Sequence, residues 1–288
     1  MKKYIFTFLS PFFLIAQEKF EFVKKIPGYH HPECVCIVDE NHVFVADIGK
    51  EMKPSERDSD GVIYKCTIQN PGEKVKFNKG FKLNAPKGIV ADKKYLYVTD
   101  IDRIVIMDIE TGEKTDEIPF SDKTVFLNDV VFIDETSLLT TATNQHEIYA
   151  VILGSKEIFD LSHKSLIGAN GLYPMTNKVY ICGFSAKNNK DKGDLFEYDI
   201  EANKVSVLVP QMGHLDGLKM RNGKLIISDW GGDFSHGKIW EFDPATNKSV
   251  LLSENEALKS PSDFDILQDT MLIPCLDTGE LILFKWSK

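Results

Sequence analysis

The chain has 288 residues, with 43 acidic against 34 basic side chains, a formal net charge of −9, 43% hydrophobic and 27% charged residues. That balance supports a packed core and excludes disorder as the main state. The acidic surplus, with no basic face in the pattern, excludes a nucleic-acid binder, whose affinity rests on neutralising phosphates.

In chain order, the first element is a leader. Lys2 and Lys3 precede an apolar run from Tyr4 to Ala16, broken only by Thr7, Ser10 and Pro11. A charged start followed by a short apolar stretch reads as a signal peptide over residues 1–17, with cleavage near Ala16 or Gln17. The alternative is an N-terminal core strand. The run falls short of the roughly 20 residues that a membrane span needs, and no later stretch supplies them. The expectation is an exported protein, periplasmic or secreted, with no membrane span. Five cysteines follow, Cys34, Cys36, Cys66, Cys182 and Cys275, with no C-x-x-C among them. An odd count leaves at least one thiol unpaired in an exported chain. One bridge is possible, and small buried hydrophobes is the plainer reading.

From Pro32 onward one pattern recurs six times. A polar residue opens an apolar strand, as in PECVCIV, PKGIVAD, NDVVFID, NGLYPMT, DGLKMRN and SDFDILQ. A second strand follows: HVFVAD, YLYVTD, SLLTTA, KVYICG, KLIISD, TMLIPC. Then a third: GVIYKC, RIVIMD, HEIYAV, DLFEYD, KIWEFD, ELILFK. The opening polar residues are Glu33, Lys87, Asn128, Asn170, Asp216 and Ser262, spaced by 54, 41, 42, 46 and 46. A period of about 40–50 residues with four short strands each predicts a β-propeller. The fold class is therefore all-β, a six-bladed β-propeller over residues 18–288. Only three strands fit after Ser262, so FEFVKKIP near the N-terminus is expected to complete the last blade, closing the ring by pairing the two chain ends.

In a propeller, one position repeated in every blade forms a ring around the axis. Glu33, Lys87, Asn128, Asn170, Asp216 and Ser262 are all polar. Oxygens from Glu33, Asn128, Asn170 and Asp216 meeting at one point suit one hard divalent cation, calcium first, with magnesium, manganese and zinc left open. The lack of His and Cys in the ring speaks against zinc or copper. Lys87 offers a competing arrangement: an ion pair across the channel with Asp216 and no metal. It also suits an oxyanion or an anionic substrate.

The pieces ANGL at 169–172, LDGL at 215–218, LND at 127–129, SDW at 228–230 and GKIWEFDP at 237–244 resemble the senescence-marker-protein/gluconolactonase family, which includes regucalcin and is distantly like the paraoxonases. The resemblance implies a metal held by Glu33, Asn170 and Asp216, with Asn128 as ligand or substrate contact and Asp129 beside it. It implies hydrolysis of a small-molecule lactone or related ester, the metal polarising the carbonyl and a carboxylate, Asp129 or Asp216, assisting the attacking water. Two departures stand out. The first-blade motif is HHPECV, where the family has Gly-Glu-Gly/Ser-Pro. Phe126 stands where regucalcin-like members carry an Arg, removing a sugar-acid contact. The alternatives are a non-catalytic propeller that binds a protein or glycan around an ion-paired channel, and a metal-free synthase-like or binding relative.

Other residues have two readings each. His30, His31 and His214 lie just ahead of Glu33 and Asp216, as a proton shuttle or substrate contact (His214 first) or as ordinary loop histidines. Asp47, Asp100 and Asp229 recur at one blade position, which favours a structural turn. The insertion Ile48–Asp60 and the loops around 185–193 and 230–237 are candidate lids. Glu56, Asp58 and Asp60 imitate an EF-hand start, but Thr67 stands at the twelfth position and a strand follows, so that match is rejected. No P-loop, G-x-S-x-G or H-E-x-x-H occurs; Gly183-Phe184-Ser185 lacks the closing glycine.

Overall fold

The computed structural model describes residues 18–185, 190–255 and 258–288. The leader read over residues 1–17 lies outside the described residues. Strand β1 spans Lys19–Pro27. Blade one follows as β2 (Pro32–Asp39), β3 (His42–Asp47), β4 (Val62–Cys66) and β5 (Val75–Lys76). Blade two is β6 (Pro86–Ala91), β7 (Tyr95–Asp100), β8 (Arg103–Asp108) and β9 (Lys114–Pro119). Blade three is β10 (Val130–Asp134), β11 (Ser137–Ala142), β12 (Glu147–Ile152) and β13 (Glu157–Asp160). Blade four is β14 (Ala169–Pro174), β15 (Val179–Gly183), β16 (Gly193–Asp199) and β17 (Lys204–Gly213). Blade five is β18 (Leu215–Arg221), β19 (Lys224–Asp229), β20 (Gly237–Asp243) and β21 (Lys248–Asn255). Blade six takes β22 (Asp265–Leu267), β23 (Thr270–Cys275) and β24 (Glu280–Ser287) from the C-terminus and borrows β1 as its outer strand.

Each blade is an antiparallel meander, and the β1–β24 pairing runs from Lys19 opposite Ser287 to Pro27 opposite Glu280. The expected six-bladed ring and its closure by the two chain ends are both present. No helix among the described residues is long and apolar enough to cross a membrane.

The second strands are the most buried because each blade packs on a neighbour at both faces. Every residue of β11 and β23 is buried, and β3 and β7 expose only their first residue in part. Six apolar clusters fill the six gaps between blades. Phe44, Leu96 and Met107 fill the gap between blades one and two. Ile26, Val43 and Leu281 fill the gap between blades six and one. Burial of such side chains stabilises by about 1.5–3 kcal/mol each, which is why the hydrophobic pattern alone reports the repeat.

The inner strands approach one another at the axis. A Cβ on Gly88 would meet Asn128 O at 2.7 Å, and one on Gly171 would meet Asp216 O at 2.1 Å. The glycine after Lys87, and those of the ANGL and LDGL pieces, are thus set by backbone contact between neighbouring blades. Gly88 N donates to Asn128 O at 3.0 Å, and Asp263 N to Glu33 O at 3.0 Å, so the ring is stitched by main chain as well as side chain. Cys34, Cys36, Cys66 and Cys182 are free, buried thiols, and Cys275 is buried too. The plainer reading of the first four holds.

Candidate functional site

Five of the six repeated polar residues meet. Glu33, Lys87, Asn128, Asn170 and Asp216 line one cavity of about 250 Å³ at the axis. All five are at most 5% exposed. Ser262 is buried but does not line it; its hydroxyl donates to Ser260 O at 3.2 Å. The blade-one insertion reaches over the cavity through Met52, Pro54 and Ser55, and Phe184 and Trp230 arrive from the loops of blades four and five. Two of the three candidate lid loops thus contribute directly, and Phe184 immediately precedes the third, of which residues 186–189 lie outside the described residues.

Repeated side chains place the ring. Asp47 accepts the N–H groups of His30 and His31, Asp100 those of Asn84 and Ala85, and Asp229 that of His214. In each case a carboxylate at the end of the second strand holds the backbone two or three residues ahead of Glu33, Lys87 or Asp216. The structural reading of these three aspartates is the correct one. Blade four lacks that carboxylate, and there Gly168 N donates to His146 Nδ1 at 2.9 Å instead. A second repeated set escaped the sequence reading. Thr99, Thr141, Cys182 and Ser228 each donate to the carbonyl of the next blade's ring residue, namely Asn128, Asn170, Asp216 and Ser262. The readable signal was a hydroxyl or thiol recurring at the penultimate position of the second strand.

Within the cavity the polar groups form a chain. Trp230 Nε1 donates to Asp216 Oδ2 at 2.7 Å and Asn170 Nδ2 donates to Asp216 Oδ1 at 3.1 Å. Thr143 Oγ1 bridges Asn128 and Asn170, accepting from Asn128 Nδ2 at 3.1 Å and donating to Asn170 Oδ1 at 3.3 Å. Glu33 Oε2 and Asn128 Oδ1 are buried with no hydrogen-bond partner. The Lys87 ammonium donates to Ala85 O at 3.2 Å and sits 4.5 Å from the centre of the Phe126 ring. Among the described residues it makes no contact ion pair, and the direct Lys87–Asp216 pair read from the sequence is absent: Asp216 is held by Trp230 and Asn170.

Burial dominates the electrostatics. It pushes the Glu33 carboxyl up to about 8, with Asp263 adding repulsion and Lys87 opposing. It pushes the Lys87 ammonium down to about 8, against attraction from Glu33 and Asp100. Asp216 is raised by burial and by Glu33, against the Trp230 hydrogen bond.

Asp129, read as a candidate base, does not line the cavity. Its Oδ2 accepts Leu172 N at 2.8 Å and its Oδ1 accepts Val130 N at 2.7 Å, which staples blade three to blade four. Alternation along the chain turns it away from Asn128. It belongs to a deeper charged layer with Asp263, Asp265 and Lys219. Burial disfavours the Lys219 ammonium, yet Asp265 and Asp129 hold its pKa above the ordinary lysine value. His214 is also off the lining. Its Nδ1 lies 3.1 Å from Gly231 O, its Nε2 is buried without a partner, and its ring packs on Phe184 and Phe234. His31 Nδ1 bonds to Leu276 O at 3.0 Å and His30 is exposed, the ordinary roles for loop histidines.

Among the described residues no three His, Cys, Asp or Glu side chains gather to hold a metal by themselves. A cation here needs the two amides, giving the set Glu33, Asn128, Asn170 and Asp216. The two orphaned oxygens fit such an ion, since a buried carboxylate or amide oxygen without a partner is costly.

No family model matches the chain, and no curated protein matches it either. Solved structures do. A chain of the nidogen/laminin complex superposes with a TM-score of 0.61 at 15% identity, covering 89% of each chain. Catalytically inactive virginiamycin B lyase from Staphylococcus aureus with quinupristin gives 0.62 at 13% identity, covering 93% of this chain and 99% of that one. The selenomethionine form of that lyase gives 0.62 at 12% identity with the same coverage. These likenesses establish the shared propeller fold.

Proposed function

We propose that the chain is a hydrolase of a small lactone or related ester, acting at the channel mouth with one divalent cation, calcium first. Glu33, Asn128, Asn170 and Asp216 would hold the ion. The observation that carries this reading is the pair of orphaned oxygens, Glu33 Oε2 and Asn128 Oδ1, on two residues that line one cavity. When bound, the ion would supply Lewis-acid polarisation of the substrate carbonyl. The other roles fall to the chain itself. Lys87 has ammonium hydrogens beyond its bond to Ala85 O, and in a buried site these stabilise a developing oxyanion strongly. Asp216, oriented at both oxygens, would accept the proton of the attacking water. Met52, Pro54 and Trp230 line the cavity and would narrow the access of bulk water. Export, proposed from Lys2–Ala16, would place the reaction in the periplasm or outside the cell. The lyase among the structural neighbours supports small-molecule chemistry on this fold without specifying which.

A second reading has its own observation. Lys87, buried in the ring, already supplies a positive charge among carboxylates, as a non-catalytic channel with a protein or glycan partner would require.

Melting with and without millimolar calcium separates the two. The hydrolase reading expects a rise of about 5 °C in wild type, the size of a linkage term of 1–2 kcal/mol, and none in Asp216→Ala. It also expects lactone turnover that Asp216→Ala abolishes. No shift with any divalent ion, and no turnover, would leave the non-catalytic channel.

A further inference from the structure

We propose that the ligand of the channel-mouth cavity carries an apolar, aromatic body and presents only its small polar head to the ring, so that polyhydroxylated sugar lactones are excluded. This rests on the reading of that cavity as a small-molecule site. The floor is polar: Glu33, Lys87, Asn128, Asn170 and Asp216. The walls above it are different. Ile48, Met52 and Pro54 come from blade one, Phe126 from the entry to blade three, Phe184 from blade four and Trp230 from blade five. Five of these six carry no hydrogen-bonding side-chain group, and the sixth, Trp230, has its one N–H committed to Asp216. Phe184 and Trp230 meet edge to face at 4.9 Å, and Phe234 closes on Trp230 at 5.4 Å, so the aromatic side of the cavity is one packed unit. Phe126 is held in place by the Lys87 ammonium over its ring.

Among the described residues the polar groups above the floor are few. Thr143 is already bonded to Asn128 and Asn170, which leaves Ser55 and Asn144 at the exposed rim. A sugar lactone entering head first would bury several hydroxyls against Ile48, Phe126 and Phe184 with nothing to bond. Unpaired buried hydroxyls discriminate strongly against a ligand. An aryl or alkyl body loses nothing there and gains contact with three aromatic side chains. The volume, about 250 Å³, lies at the small end for ligand cavities and suits one or two fused rings.

The test uses two non-hydrolysable six-membered lactams of similar size, 3,4-dihydroquinolin-2-one and glucono-δ-lactam, titrated calorimetrically into the full chain in the presence of calcium and again in EDTA. The aryl lactam is expected to bind at least about tenfold more tightly in the better of the two conditions. Phe184→Ser is expected to weaken the aryl lactam about tenfold and leave the sugar lactam within about twofold; Met52→Ser, at an exposed position, is expected to act in the same direction. Equal or tighter binding of the sugar lactam, binding of neither at millimolar concentration, or an aryl lactam indifferent to both variants would overturn the inference. Tight aryl-lactam binding without turnover of any lactone would remove the hydrolase reading and leave this one standing. Turnover confined to sugar lactones would do the reverse.

Discussion

Trp230 fixes Asp216 from outside the ring: its indole N–H donates to Oδ2 at 2.7 Å while Asn170 takes Oδ1 at 3.1 Å. Neither carboxylate oxygen is free to turn. The Trp230 bond also favours the ionised form, opposing burial and the charge of Glu33. Trp230→Phe keeps an aromatic ring in place and removes the N–H together with part of the indole. Calcium affinity, measured by calorimetry, is expected to fall by about 10–100-fold, the usual effect of losing a partner that orients a ligating group. Unchanged affinity would show that Asp216 is not an ion ligand oriented in this way.

Asp229 does comparable work on the backbone. It accepts His214 N at 2.9 Å, Gly231 N at 3.0 Å and Trp240 Nε1 at 3.0 Å while 3% exposed. Asp229→Ala leaves two buried donors and one half-buried donor without an acceptor. Unfolding in urea is expected to show a loss of about 3–5 kcal/mol. Asp243, also at a strand end but on the surface, accepts Ala245 N, and Asp243→Ala is expected to cost about 1 kcal/mol or less. Equal costs at the two positions would refute the positioning role given to Asp229.

Much of this was legible in the sequence because the repeat is written in apolar residues. The second strands YLYVTD, SLLTTA, KLIISD and TMLIPC fall on β7, β11, β19 and β23 residue for residue. Blade packing on two faces keeps their middle positions mostly apolar, with the recurring polar residues gathered toward the C-terminal end. The ring was legible too, since one position repeated six times must encircle the axis. Asp129 was misjudged for a local reason. Asn128 and Asp129 are adjacent and both polar, so strand alternation says that they point apart without saying which one meets the cavity. Thr143 was invisible because it sits in the short 3-10 turn Thr143–Gln145, which no other blade repeats among the described residues. The apolar walls lie in loops, where no period marks them.

The pair Glu33 and Lys87 gives the metal-free protein a distinctive pH response. A carboxyl raised from 4.5 to about 8 in the folded state contributes stability that is complete below the unfolded value and is lost as pH rises through 8. Asp216 and Asp263 are raised as well and act with the same sign. Lys87, lowered from 10.5 to about 8, contributes stability that is present above 10.5 and lost as pH falls through 8, so it does not offset the decline below 8. In EDTA the melting temperature is expected to fall from about pH 5 to pH 8, and Glu33→Gln to flatten part of that slope. Because an ion must displace the proton, calcium affinity is expected to climb over the same window. A melting temperature that rises from pH 5 to 8 in EDTA would mean that Glu33 is ionised in the folded chain without a metal.

The two chain ends close the ring through the β1–β24 pairing. Ile26 on β1 faces Leu281 in the register and is 5% exposed in the cluster that joins blades six and one, whereas Val23 on the same strand is 46% exposed at a register shift. Ile26→Asp places a charge among Val43, Leu272 and Leu281 with no partner, while Val23→Asp leaves its charge in water. The first is expected to cost about 3–5 kcal/mol in urea unfolding and the second within about 0.5 kcal/mol. Weakening β1 also bares the edge of β24, and an unpaired edge recruits another strand. Size-exclusion chromatography of Ile26→Asp is therefore expected to show concentration-dependent oligomers that Val23→Asp does not form. If both variants stay monomeric and equally stable, the two chain ends do not close the ring in solution.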